Sequence, residues 1–122
     1  MLQWIYKQST GELFRNGKIV GKGYSGVLTS KNNPDREHVR GMGPIPRGQW
    51  RIGSTGNSKG PLTITLNYIS GSFFGRDLRT FRIHGEKIHG VPGFASAGCI
   101  IISYDARLLV SKDTGAVMEV VR

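Results

Sequence analysis

Glycine and proline recur along this chain at intervals too short for long helices. The 122 residues include 18 glycines and five prolines, and both residue types interrupt helices and favour turns. The segments between them are short, and several alternate apolar with polar residues, as half-buried strands do. The length suits one compact core. We therefore predict a mainly β fold that occupies residues 1–122 as a single domain.

Most of the secondary structure is predicted to be short strands. Asn16-Gly17 is a strong signal for a two-residue hairpin turn, because both residues tolerate the positive φ that such a turn needs. One short helix is predicted after Cys99, over residues 104–110, with Ser103 as its N-cap. The predicted strands are 4–8, 12–15, 18–21, 49–52, 62–68, 81–83 and 117–121.

The charge of the chain is strongly positive. Seventeen Lys and Arg against eight Asp and Glu give a formal net charge of +9, which attracts polyanions such as nucleic acid, anionic lipid or the bacterial cell envelope. The basic residues are scattered, so a solvated surface is the simpler interpretation of most of them. No nucleic-acid recognition motif appears, and no segment is long enough to span a bilayer. The N-terminus lacks the apolar stretch of a signal peptide.

Two of the three histidines and the single cysteine fall within 16 residues. His84 and His89 precede Cys99, and the glycine-rich loop between them can bring an imidazole to the thiol. A thiol is largely protonated near neutral pH, so a nucleophilic cysteine needs a base, and histidine supplies one best. Gly98 allows a sharp turn that leaves amide N–H groups for an oxyanion, and Ser96 could orient the histidine or bind substrate.

Other interpretations of these residues remain open. A single cysteine before three isoleucines is more often a buried core residue than a nucleophile. His84, His89 and Cys99 could also be three ligands of a catalytic zinc ion, although no closely spaced ligand pair is present. A non-catalytic basic module that binds nucleic acid or anionic glycan is the main alternative to an enzyme.

The motifs around these residues resemble a known family. Ile83-His84-Gly85 followed by Ser96-Ala97-Gly98-Cys99-Ile100 resembles the active-site signature of L,D-transpeptidases. More closely, the chain resembles the L,D-transpeptidase-type effectors of bacterial type VI secretion. The further segments that carry this resemblance are Gln8-Ser9-Thr10-Gly11, Gly23-Tyr24-Ser25-Gly26, Lys31-Asn32-Asn33-Pro34, Gly43-Pro44-Ile45-Pro46-Arg47-Gly48 and Pro92-Gly93-Phe94-Ala95.

The resemblance implies a fold, an activity and a place of action. It implies a β-sandwich-like domain that removes the terminal D-alanine from peptidoglycan stem tetrapeptides, or exchanges it for another D-amino acid, without a metal or cofactor. Such a toxin would be made in the cytoplasm, exported by the type VI machinery and active in the periplasm of a target bacterium. A cognate immunity protein is the expected partner, with neither nucleic-acid binding nor membrane insertion.

The resemblance also assigns residues. Cys99 would be the nucleophile, with His84 or His89 as the base, and Tyr24 and Ser25 would form the opposite wall of the substrate cleft. The broader signature places a second histidine directly before Gly-Cys, where this chain has Ala97. It also often has a polar or basic residue two positions after the cysteine, where this chain has Ile101.

Overall fold

The structure is a computed structural model that describes residues 3–86, 93 and 96–122. Within these residues the chain forms nine β-strands, one α-helix and three short 3-10 helices. The strands are β1 (Trp4–Lys7), β2 (Glu12–Arg15), β3 (Lys18–Lys22), β4 (Tyr24–Ser25), β5 (Gly48–Gly56), β6 (Thr63–Ser70), β7 (Arg82–His84), β8 (Ile100–Ile101) and β9 (Val117–Val121). The helix α1 (Tyr104–Ser111) lies between β8 and β9, and the 3-10 helices are Leu28–Ser30, Pro34–Arg36 and Leu78–Thr80.

All nine strands belong to one hydrogen-bonded sheet. Its order is β3-β2-β1-β9-β5-β6-β7-β8-β4. Only Gly23 separates β3, at one edge, from β4, at the other. The two edges therefore meet, and the sheet curves around one core so that its halves face each other. The predicted mainly β class with a single short helix is confirmed.

The local signals in the sequence locate the β2–β3 hairpin and the helix correctly. Asn16 and Gly17 have φ values of 52° and 82°, and they join β2 to β3 as predicted. Ser103 caps α1 by accepting a hydrogen bond from the Ala106 N–H at 3.3 Å. Strand β6 begins one residue later than predicted, because Leu62 adopts a positive φ of 55°.

The core fills the inside of the curved sheet and is covered by α1. Ala106 and Val110 of the helix are fully buried against it. The largest fully buried side chains come from seven strands and two connections: Trp4, Trp50, Tyr6, Phe81, Leu13, Ile45, Ile52, Ile64, Leu66, Ile83, Ile100 and Met118. In the part of the chain that the structure describes, no helix is long and apolar enough to cross a membrane.

The parallel pair of β7 and β8 determines where the site lies. Ile83 is paired with Ile100, and both side chains are fully buried in the core. Successive side chains of a strand point to opposite faces. His84 and Cys99, each one residue away from this pair, therefore share the other face of the sheet.

Candidate active site

His84 and Cys99 line one cavity beside the β7–β8 pair. The cavity has a volume of about 530 Å³. His84 follows Ile83 on β7, while Cys99 directly precedes Ile100, the first residue of β8, so the two residues lie diagonally across the β7–β8 pair. The described residues that line the cavity are Arg40, Gly41, Lys59, Gly75, Arg76, Asp77, Thr80, Arg82, His84, Ala97 and Cys99.

The imidazole of His84 is held in one tautomer. Its Nδ1 lies 2.9 Å from the carbonyl oxygen of Gly85. A carbonyl oxygen can only accept, so Nδ1 carries the proton and Nε2 keeps a free lone pair. Burial lowers the pKa of His84, the Gly85 hydrogen bond acts against this, and the charges of Lys59, Arg107 and Arg82 lower the pKa further. The ring is therefore a neutral base at pH 7.

The Cys99 thiol is also neutral in this structure. Its sulfur donates a hydrogen bond to the carbonyl oxygen of Thr80 at 3.2 Å, and the residue is 6% exposed. Burial raises the pKa of Cys99, while the backbone N–H of Arg82 and the charges of Arg82, Lys59 and Arg76 act in the opposite direction. Among the described residues, no hydrogen bond joins the sulfur to His84.

Two buried serines fix the backbone of the cysteine loop. The Ser96 hydroxyl donates to the Cys99 carbonyl at 2.6 Å and accepts from the N–H groups of Gly98 at 3.1 Å and Gly26 at 2.9 Å. The Ser25 hydroxyl donates to the Gly98 carbonyl at 3.0 Å and accepts from the Ile45 N–H at 2.9 Å. The loop is thereby tied to β4 and to the proline-containing segment before β5.

Arg76 is a buried cation that ties a second segment to this loop. Its guanidinium donates to the carbonyl oxygens of Glu37, Pro44 and Gly43 at 2.6–3.0 Å, and to that of Ala97 at 3.4 Å. Its central carbon also lies 5.0 Å from the centre of the Phe81 ring. These contacts place a positive charge next to the cysteine loop, and among the described residues its bonding partners are neutral carbonyls and a ring.

The cavity wall carries an excess of positive charge. Arg40, Lys59, Arg76 and Arg82 contribute four cations, whereas Asp77 is the single described acidic residue of the wall. The Asp77 carboxylate is already paired with Arg79, which lies outside the wall, at 3.0 Å. An anionic ligand therefore meets an attractive field on entering the cavity.

The structure brings some of the predicted site residues to the cavity and directs others away from it. Cys99 and His84 come together, and Ala97 next to Gly98 also lines the cavity. Gly98 was expected to offer its N–H to an oxyanion, but that N–H donates to Ser96 instead. Ser96, 3% exposed, directs its hydroxyl to backbone groups rather than to the histidine or to the cavity. His89 lies outside the described residues.

The two residues predicted to form the opposite wall are also engaged elsewhere. Ser25 is fully buried and its hydroxyl bonds only to backbone groups among the described residues, so it supports the loop and does not face a substrate. The Tyr24 hydroxyl donates to the carboxylate of Glu86 at 2.7 Å, and Tyr24 is not among the described lining residues. The same carboxylate accepts a hydrogen bond from the Gly93 N–H at 2.9 Å.

The zinc alternative finds no support in the described residues. They contain no group of three or more His, Cys, Asp or Glu side chains placed to hold a metal ion. Of the three ligands in that alternative, His89 is outside the described part of the chain.

Sequence reasoning missed the basic wall and the Thr80 carbonyl. A solvated surface was the simpler interpretation of most basic residues, but Arg76 and Arg107 are only 5% and 8% exposed. Arg82 could have been found, because it lies two residues before His84 on the same strand and so faces the same way. Arg40 and Lys59 come from distant loops, and no local pattern marks them.

The chain was also compared with known proteins. No protein-family model matches this chain, and no curated protein matches it.

Gly98 should be sensitive to any side chain. Its φ is +124°, and an added Cβ would lie 2.6 Å from Arg76 Nη2 and 2.9 Å from a Phe81 ring carbon. Gly17 also has a positive φ, of +82°, but nothing lies within 4 Å of its added Cβ. Gly17→Ala should cost about 1–2 kcal/mol from backbone conformation alone. Gly98→Ala should cost roughly 1–3 kcal/mol more, from overpacking. Urea unfolding measures both, and equal losses would contradict the packing described here.

The reactivity of Cys99 should reveal a thiol with a raised pKa. Because only the thiolate reacts with iodoacetamide, the alkylation rate of the folded protein should rise with pH through a midpoint above that of an ordinary cysteine. Arg82→Met should move the midpoint still higher, since a cation that favours the thiolate is lost. Lys18→Met, an equal loss of charge at the exposed edge strand, should leave it unchanged. A native midpoint at or below the ordinary value would show that burial does not control this thiol.

Proposed function

We propose that this protein is a cysteine-dependent L,D-carboxypeptidase or L,D-transpeptidase that acts on peptidoglycan stem tetrapeptides. One observation carries the proposal: His84 at the end of β7 and Cys99 directly before β8 line the same cavity, and no described residue bonds to His84 Nε2. The resemblance of the His84 and Cys99 motifs supports the choice of substrate. The excess of cations on the cavity wall suits a substrate that carries carboxylates.

Acylation of the enzyme begins from the neutral pair. The thiol leaves its hydrogen bond to Thr80, and His84 Nε2 takes its proton while the sulfur attacks the carbonyl carbon between the diamino acid and D-alanine. Collapse of the tetrahedral adduct breaks the C–N bond. The imidazolium gives its proton to the departing amine of D-alanine, which leaves the rest of the stem as a thioester on Cys99.

Deacylation restores the thiol and decides the product. His84 takes a proton from the attacking water or amine, a bond forms to the thioester carbonyl, and the C–S bond breaks. The proton then returns to the sulfur. Attack by water gives a tripeptide with a free carboxylate, and attack by a free D-amino acid gives an exchanged tetrapeptide. Both routes use the same acyl-enzyme.

The oxyanion of the tetrahedral adduct needs stabilisation that Gly98 does not offer. The Gly98 N–H is engaged by the Ser96 hydroxyl. The charges of Arg82, Lys59 and Arg76 all act on the Cys99 sulfur, and they favour its negative form. The same positive field stabilises negative charge on the oxygen of the adduct, which is bonded to the carbon that the sulfur attacks. We assign the stabilising role mainly to Arg82, whose backbone is adjacent to Cys99.

The biological role that we propose follows from the resemblance of the motifs. The enzyme would be a type VI secretion effector that depletes the donor stems needed for cross-linking in the periplasm of a target bacterium. A producing cell would need a cognate immunity protein that blocks the same cavity. The positive charge of the chain suits a substrate held in an anionic envelope.

Product analysis with defined substrate tests the enzymatic proposal. Native protein incubated with disaccharide tetrapeptide should release D-alanine, detected by mass. Cys99→Ala should reduce the rate by roughly 10⁴-fold or more, and His84→Ala by roughly 10²–10⁴-fold. His38→Ala is the matched control, because His38 is exposed and lies outside the described cavity wall.

His89→Ala decides between the two candidate bases. If its loss is the larger one, His89 is the base and the assignment to His84 is wrong. Equal inactivity of the native and Cys99→Ala proteins would contradict the enzymatic proposal. Salt-sensitive binding to polyanions without turnover would then favour the basic binding module.

A further inference from the structure

Three cations of the cavity wall have no acidic partner among the described residues. The ion pairs of the described chain involve Arg15, Arg47, Arg79 and Arg122, and none of them involves Arg40, Lys59 or Arg82. Arg76, by contrast, is held by carbonyl oxygens. Placing like charges around one cavity without counter-charges is unfavourable unless a ligand supplies them. The wall therefore suits a ligand with more than one negative group.

Lys59 lies within electrostatic reach of both reacting side chains. Its charge acts on the pKa of Cys99 and on that of His84. Its backbone is fixed in the connection between β5 and β6, where its N–H donates to Thr63 Oγ1 at 3.1 Å. Arg107 holds the same connection by donating to the carbonyl oxygens of Pro61 and Leu62. A firmly held backbone, with an exposed ammonium that has no acidic partner in the described part of the chain, suits recognition of an anion beside the thiol.

Arg40 lies on the same wall at a different place from Lys59. Arg107, which holds the Lys59 connection, also lies against the residue after His84, because its Nη2 is 2.7 Å from the position of a Cβ added to Gly85. Arg40 Nη2 instead lies 3.0 Å from the position of a Cβ added to Gly75, which places its guanidinium over the segment before Arg76. The two cations, which have no acidic partner among the described residues, thus mark one position beside His84 and a second, more distant position over the Gly75 segment.

We propose that Lys59 and Arg40 are specificity-determining residues that bind two different carboxylates of the substrate, Lys59 the one beside the scissile bond and Arg40 the distant one. The inference rests on the proposed function, in which the scissile bond joins a diamino acid to D-alanine. Lys59 then binds the terminal carboxylate of D-alanine, and Arg40 binds the side-chain carboxylate of the diamino acid. Stems in which either carboxylate is amidated are poor substrates.

Binding to an inactive variant tests this assignment without turnover. The probes are a stem tetrapeptide ending in diaminopimelate and D-alanine, and its two monoamides, titrated by calorimetry into the full chain with Cys99→Ala. Each amidation should weaken binding about tenfold, as the loss of one charge-assisted hydrogen bond does. Lys59→Met in this background should weaken binding of the unamidated peptide about tenfold. It should also abolish the difference in affinity caused by amidating the terminal carboxylate, and no other difference. Arg40→Met should erase only the effect of amidating the diaminopimelate carboxylate.

Lys18→Met is the matched control, because it removes an equal charge from an exposed position on β3 outside the described cavity wall. It should leave all three affinities in the same ratio, and thermal unfolding should show that every variant is folded. Equal affinity for the peptide and both monoamides would overturn the assignment, as would variants that weaken all three probes by the same factor. If the pattern of binding is found but the native protein does not release D-alanine, the two carboxylate sites stand and the proposed catalysis fails.

Discussion

The register between β7 and β8 is the constraint on which the site depends. Ile83 and Ile100 are buried as partners, and this pairing fixes the face on which His84 and Cys99 emerge. A shift of one residue in either strand would turn its functional side chain into the core and expose an isoleucine. The burial of these two isoleucines therefore also fixes the arrangement of His84 and Cys99. Arg76, Ser25 and Ser96 then hold the cysteine loop to this frame through backbone hydrogen bonds.

Burial and the surrounding cations act in opposite directions on the pKa of Cys99 and in the same direction on the pKa of His84. Burial favours the neutral form of both the thiol and the imidazole. The surrounding cations favour the thiolate and disfavour the imidazolium. The field therefore favours negative charge on the sulfur and on an adjacent oxyanion, while it keeps His84 ready to accept a proton. Such an environment is matched to an anionic substrate, which brings the missing counter-charges with it.

Sequence patterns correctly predicted the elements that depend only on residues close together in the chain. The Asn16-Gly17 turn, the Ser103 cap and strand β9 follow from propensities and periodicity within a few residues. The proximity of His84 to Cys99 could be predicted because a short glycine-rich loop separates them in the sequence. The role of Ser25 could not be foreseen, since it depends on hydrogen bonds with Gly98 and Ile45, which are distant in the sequence. Lys59 and Arg40 reach the cavity only through the tertiary arrangement of their loops.

The most direct measurement of the central claim is the intact mass of the protein during turnover. Protein mixed with stem tetrapeptide and quenched in acid should gain the mass of the stem without its D-alanine. Digestion should locate this adduct on the peptide that contains Cys99, and hydroxylamine should remove it, as expected for a thioester. Release of D-alanine without a Cys99 adduct, or with the adduct on another residue, would contradict the account of Cys99 as the nucleophile.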